Sequence, residues 1–184
     1  MAHKTYTTAV VVIPPEEVWP PIQAIRRRYD RHVRRWMPHI TLLYPFRPAA
    51  EFDEVAPAMA HVCAGLKPFT VELPTFHAFT HAHDHYTLWL APEPREAVIA
   101  LQAALGRVVP DCDDVQRHPQ GFTPHLSVGQ IRGREAARQL LADLHREWTS
   151  RPWKVSDISF LWRHEPPDDV FRVGNRLRLG SDSI

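Results

Sequence analysis

A seven-residue pattern occurs twice in this chain, as Trp36-Met37-Pro38-His39-Ile40-Thr41-Leu42 and as Phe122-Thr123-Pro124-His125-Leu126-Ser127-Val128. Each copy reads aromatic, any residue, Pro, His, aliphatic, hydroxyl residue, aliphatic. The inner His-x-Thr/Ser triplet carries little weight, because a chain with 12 histidines among 184 residues forms it by chance. It recurs at His3-Lys4-Thr5 and His85-Tyr86-Thr87 without the flanking residues. The long pattern in duplicate is what constrains the fold. Side chains alternate between the two faces of a strand. His39 and Thr41 therefore share one face while Ile40 and Leu42 turn to a core, and the same holds for His125 and Ser127 against Leu126 and Val128. Pro38 and Pro124 favour extended backbone before them and cannot donate to a ladder, which suits the start of a strand.

The rest of the chain repeats around the two copies. Thr- and Val-rich residues 5–13 predict a strand ended by Pro14-Pro15. A helix over 16–29, a motif strand over 39–46, a helix over 51–64 and strands over 69–79 and 86–91 form one series. A helix over 94–108, a motif strand over 125–131, a helix over 134–148 and strands over 153–162 and 170–179 form a second. The offset is about 85 residues, a single internal duplication rather than a solenoid period. The expected fold is α+β, one domain over 1–184 made of two lobe-like repeats, about 16–91 and 94–179. Each lobe would have an antiparallel sheet and helices, related by a pseudo-two-fold axis that sets the motif strands facing across a central cleft.

The formal charge of +1 argues against a protein that holds long nucleic acid mainly by electrostatics. Arg26, Arg27, Arg28, Arg31, Arg34 and Arg35 nevertheless crowd the stretch before His39. They read either as a solvated helix end and loop or as a phosphate-attracting rim. Cys63 and Cys112 form neither a disulfide framework nor a metal spacing, and free thiols fit a cytoplasmic protein. Met1-Ala2-His3-Lys4 begins no signal peptide, and the apolar run 9–13 is too short to span a membrane, so no membrane partner is expected. The turn Thr80-His81-Ala82-His83-Asp84-His85 alternates histidines, but with no fourth ligand in view it reads as an exposed hairpin tip rather than a metal site.

Two imidazoles opposed across a cleft suggest general acid–base chemistry, one taking a proton and the other giving one near neutral pH. Thr41 and Ser127 would donate to non-bridging oxygens of an anion. In-line displacement at phosphorus needs that arrangement and no metal or other cofactor. Tyr44, Phe46, Phe79 and Trp89 lie near the motifs, where stacking on a nucleobase competes with core packing.

The segments Pro38-His39-Ile40-Thr41-Leu42-Leu43-Tyr44-Pro45-Phe46 and Phe122-Thr123-Pro124-His125-Leu126-Ser127-Val128-Gly129-Gln130 resemble the paired signatures of the two-histidine (2H) phosphoesterases, the superfamily of RNA 2′,3′-cyclic phosphodiesterases and 2′-5′ RNA ligases. The resemblance covers nearly the whole chain. It implies a bilobal α+β fold and metal-independent opening of 2′,3′-cyclic phosphates to 2′-phosphates, with reverse 2′-5′ ligation. His39, Thr41, His125 and Ser127 fall on the catalytic positions, His125 as base and His39 as acid. Tyr44, Arg35 and Gln130 are candidate substrate contacts. Many bacterial members carry Arg at the place of Gln130. The expected partner is an RNA end or a nucleotide, bound by a monomer. Alternatives are a phosphodiesterase for cyclic ADP-ribose phosphate or 2′-5′ oligoadenylate, and a non-catalytic RNA-end binding module.

Overall fold

The computed structural model describes residues 3–117 and 121–180. The polar loop expected over 111–121 is therefore described only in part, and residues 1–2 of the amino terminus lie outside the described residues.

The chain runs β1 (Thr8–Val12), α1 (Trp19–Tyr29), β2 (Ile40–Leu43), α2 (Phe52–Ala64), β3 (Phe69–His81), β4 (His85–Glu93), α3 (Arg95–Gly106), β5 (Leu126–Arg132), α4 (Arg134–Glu147), β6 (Trp153–Val155), β7 (Asp157–Trp162) and β8 (Arg172–Arg178). The fold is α+β, with two four-stranded sheets in the orders β2-β1-β7-β8 and β5-β4-β3-β6. Every strand pairing is antiparallel.

Local chemistry explains the elements. Pro20 and Pro21 open α1, where a missing N–H costs nothing, and Arg26, Arg27 and Arg28 fill its last turn, complementing the helix dipole. All five residues of β1 are buried, as befits an apolar strand covered on both faces. Val10 and Val12 enter the main core with Ile40, Leu42, Leu88, Leu126, Val128 and Phe160. Ala9 and Val11 face the other way, packing with Leu161 and Phe171 beneath Trp36, Met37 and Tyr44.

Residues 153–162, expected as one strand, are two. The break falls at Ser156, after which the chain leaves β3 and pairs with β1 in the other sheet. The carbonyl of Ser156 accepts the Leu179 N–H at 2.9 Å, so the crossing is tied to the end of β8. No strong breaker residue marks this crossing, which the tertiary pairing imposes.

Element order repeats as β1-α1-β2-α2-β3 and, with β6 inserted before the last strand, β4-α3-β5-α4-β6-β7, and the sheet orders β2-β1-β7 and β5-β4-β3 correspond strand for strand. Each sheet takes its third strand from the other of these series, and the repeats about 16–91 and 94–179 do not map one to a sheet, because β3 and β4 of the first share a sheet with β5 and β6 of the second. β2 and β5 occupy equivalent sheet edges and lie against each other.

Candidate active site

Both motif strands are shaped by the same irregularity. β1 pairs Val10 with Leu43 and Val11 with Thr41, leaving Leu42 as an extra residue. β4 pairs Leu88 with Gly129 and Trp89 with Ser127, leaving Val128 as the extra residue. Leu42 and Val128 occupy the same place in the two motifs. A bulge bends the strand and re-aims its side chains, so the two copies are bent alike beside their hydroxyl residues. Burial follows the alternation: Ile40, Leu42, Leu126 and Val128 are buried, while His39, Thr41, His125 and Ser127 are half-buried on the opposite face.

The imidazoles are held by matching bonds. His39 Nδ1 lies 2.7 Å from the Met37 carbonyl oxygen and His125 Nδ1 lies 2.8 Å from that of Thr123. A carbonyl can only accept, so each Nδ1 carries the proton and donates it. In the neutral ring the lone pair then sits on Nε2. Each ring thus has its tautomer and orientation set by the carbonyl two residues upstream.

The surroundings of the two rings differ. Trp36 stacks on His39 with centroids 4.5 Å apart and planes at 20°, and Trp36 itself lies on Phe171 at 3.5 Å. Burial under these rings, reinforced by the charges of Arg26 and His125, pushes the His39 pKa down to about 4 against the opposing bond to Met37. His125 instead meets the edges of Phe79 at 5.0 Å and Trp89 at 5.9 Å. His39 is therefore neutral near pH 7.

Thr41, Tyr44, Phe79, Thr80, His81, Thr87, Asp114, Val115, Phe122, Thr123 and His125 line a cleft of about 710 Å³. One wall is apolar, from Phe79, Phe122, Val115 and Tyr44. The hydroxyls of Thr41, Thr80 and Thr87 stand among them. Burial raises the Tyr44 pKa, and its hydroxyl donates to the Tyr6 carbonyl at 3.2 Å.

Of the four catalytic candidates Thr41 and His125 line this cleft, His39 and Ser127 are not among its lining residues, and the remaining candidates are placed elsewhere. Arg35 is ion-paired with Asp169. Gln130 turns to the end of α1, where its Oε1 accepts the Arg31 N–H at 3.1 Å and its Nε2 donates to Asp30 at 3.3 Å. Neither lines the cleft. Arg26, 2 % exposed, is not part of a phosphate rim. Its Nε donates to Asp30 at 2.8 Å and its Nη2 to the Trp36 carbonyl at 2.9 Å. Asp30 thus joins α1 both to the turn before His39 and, through Gln130, to the strand of His125. Phe46 and Trp89 belong to buried parts of the structure. The histidine turn caps the β3–β4 hairpin, with His81, His83 and His85 exposed. Among the described residues no group of three or more His, Cys, Asp or Glu could hold a metal ion. Nor is any described helix long and apolar enough to cross a membrane.

Sequence reasoning left two supports of the site unread. Arg47, buried, grips Asp111 with both Nη atoms at 2.8 and 2.6 Å, and Lys4 pairs with Asp114. These bonds fasten to the body the loop that brings Asp114 and Val115 to the cleft. The stacking of Trp36 on His39 was foreshadowed only by the aromatic that opens each motif.

Known proteins share this architecture. The structure of TT0787 from Thermus thermophilus superposes with a TM-score of 0.62 at 21% identity, over 95% of this chain and 99% of its own. Escherichia coli LigT, crystallised with 3′-AMP, gives 0.62 at 14% identity over 96% and 99% of the two chains. A predicted phosphoesterase of Geobacillus kaustophilus is 29% identical over 178 residues, spanning 95% of this chain and 91% of that protein. Residues 14–167, which carry both motifs, both bulged strands and the cleft between them, match the 2′-5′ RNA ligase superfamily, and the chain belongs to that family.

Proposed function

We propose that the protein is a phosphodiesterase that opens 2′,3′-cyclic phosphates to 2′-phosphates by paired imidazole catalysis, with 2′-5′ ligation where a 5′-hydroxyl replaces water as the nucleophile. The observation that carries this reading is the matched pair of Nδ1–H bonds to Met37 and Thr123, which sets both rings in one tautomer. His125 takes a proton from water as its oxygen attacks phosphorus. The P–O3′ bond breaks, and His39 gives its Nε2 proton to the departing O3′. Thr41 and Ser127 donate to the non-bridging oxygens as negative charge grows there. In ligation a 5′-hydroxyl takes the place of water with the same roles, and the two histidines exchange roles only when a 2′-5′ linkage is cleaved back to the cyclic phosphate. Two imidazoles supply both proton transfers, so the proposed reaction asks for no metal.

His39 is neutral near pH 7, so its acid role has a condition. The anionic phosphate must raise its pKa on binding, as an opposite charge close by does. The substrate then helps to load the proton that its own leaving group receives.

The Geobacillus kaustophilus relative supports phosphoester chemistry, and the binding of 3′-AMP by LigT supports a nucleotide-sized ligand. LigT has also been crystallised with ATP and NADP+, which favours a second reading as a phosphodiesterase for small nucleotides. The test is hydrolysis, in EDTA, of a 2′,3′-cyclic mononucleotide and of a short RNA with a 2′,3′-cyclic end. Turnover to a 2′-phosphate, lost in His39→Ala and His125→Ala, is the expected result. A 3′-phosphate product, or full activity in either variant, would overturn the mechanism.

A further inference from the structure

Tyr6 is the most exposed large hydrophobic residue among those described, with 62 % of its surface in water. Its backbone is nevertheless fixed. Thr5 exchanges hydrogen bonds with Phe46 at 2.8 and 3.2 Å, and the Arg163 N–H donates to the Thr7 carbonyl at 2.9 Å. The Tyr6 carbonyl itself accepts from the Tyr44 hydroxyl at 3.2 Å and from Arg163 Nη2 at 3.3 Å. A rigidly mounted ring left in water gains nothing for the core.

Its position gives it a use. The Tyr6 ring meets Tyr44 edge-on at 5.4 Å, and Tyr44 lines the cleft. Trp36 follows Tyr44 at 5.7 Å and stacks on His39, so an unbroken aromatic path leads from the catalytic imidazole to Tyr6. The phenol also lies within electrostatic reach of Arg117, which is ion-paired with Asp113 and with the cleft-lining Asp114. Arg163 holds the Tyr6 backbone from below, its own side chain mostly buried and its guanidinium lying over the Phe171 ring at 5.5 Å. An exposed aromatic on a fixed backbone, in ring contact with a cleft-lining residue, suits a stacked base.

We propose that Tyr6 is the stacking platform for the nucleotide next to the one whose phosphate reacts, so that the site takes the end of an RNA strand in preference to a free mononucleotide. This rests on the phosphodiesterase reading above and names its substrate class. The reacting nucleotide occupies the cleft between Thr41, Tyr44, Phe79 and His125. The strand leaves over Tyr6, where the next base lies on the ring.

The test compares kcat/KM on a 2′,3′-cyclic mononucleotide and on a trinucleotide with a 2′,3′-cyclic end, for the wild type, Tyr6→Ala and Tyr6→Phe. The wild type should prefer the trinucleotide. Tyr6→Ala should lose about 5- to 150-fold on it while staying within about twofold on the mononucleotide, and Tyr6→Phe should match the wild type. An equal loss on both substrates would assign Tyr6 a structural role, and no loss on either would remove it from the site; both overturn the proposal. Fluorescence anisotropy with a labelled trinucleotide ending in a 2′-phosphate separates this from the catalytic reading. If neither cyclic substrate turns over, that reading fails, and weaker trinucleotide binding by Tyr6→Ala alone still decides for the platform, unchanged binding against it.

Discussion

The neutral state of His39 makes the fold sensitive to acid, and the effect is large enough to measure. An imidazole has a pKa near 6.5 in an unfolded chain and about 4 in this structure, where burial under Trp36 and Phe171 dominates. Between those values the unfolded state binds more protons, so stability falls as pH falls from above 6.5 towards 4. The full shift corresponds to about 3 kcal/mol, and going from pH 7 to pH 4.5 removes about 2 kcal/mol of it. With a urea slope of about 1–3 kcal/mol per molar, the unfolding midpoint should drop by roughly 1 M. Other groups also titrate in this range, so the comparison is with His39→Gln, which keeps a polar side chain but cannot take up the proton. The wild type should lose about 2 kcal/mol more than the variant over the same interval. Equal losses in the two proteins would refute the claim that His39 is held neutral. Nuclear magnetic resonance of the ring gives a direct check: the His39 resonances should scarcely move between pH 7 and 5.5, and Trp36→Ala should bring their titration up towards the ordinary range.

Thr41→Ala and Ser127→Ala should each lower kcat, by about 10- to 1000-fold, with smaller changes in KM, because their hydrogen bonds strengthen as charge develops; initial-rate kinetics separate the two constants. Asp30→Ala leaves the buried Arg26 guanidinium without its carboxylate, and a loss of about 3–5 kcal/mol is expected in chemical denaturation. Arg47→Met releases Asp111 from its paired bonds, so a limited-proteolysis time course should show faster cleavage in the loop after α3. Burial raises the Cys63 thiol to about 11, and Cys112 shifts the same way; both should resist a thiol reagent at pH 7.5 in the native state and react on unfolding.

The face shared by His39 and Thr41 could be read from spacing because strand alternation is a local rule. The same rule placed His125 beside Ser127. The state of His39 could not be read, since it depends on Phe171 arriving beneath Trp36 from the far end of the chain. The arginine cluster misled for a related reason. Arg26 has the composition of a rim residue, and only tertiary packing buries it against Asp30 and the Trp36 carbonyl. The division of residues 153–162 between two sheets was equally invisible, because β6 and β7 are both ordinary strands and the crossing is dictated by their partners. Tyr6 looked like one more member of an amino-terminal strand, and its exposure is a property of where that strand begins.

The exchange of third strands sets an order for assembly during synthesis. β5, β4 and β3 are consecutive neighbours in one sheet, and all three exist once residue 132 has been made. The sheet that carries His39 waits for β7 and β8, the last strands of the chain. Until they arrive β1 has one open edge, and Trp36 lacks the Phe171 ring it rests on. A chain released early would therefore hold a nearly finished His125 strand and an unfinished His39 strand. The catalytic pair is withheld until the carboxy-terminal hairpin docks, so a truncated product would leave the ribosome without the paired site.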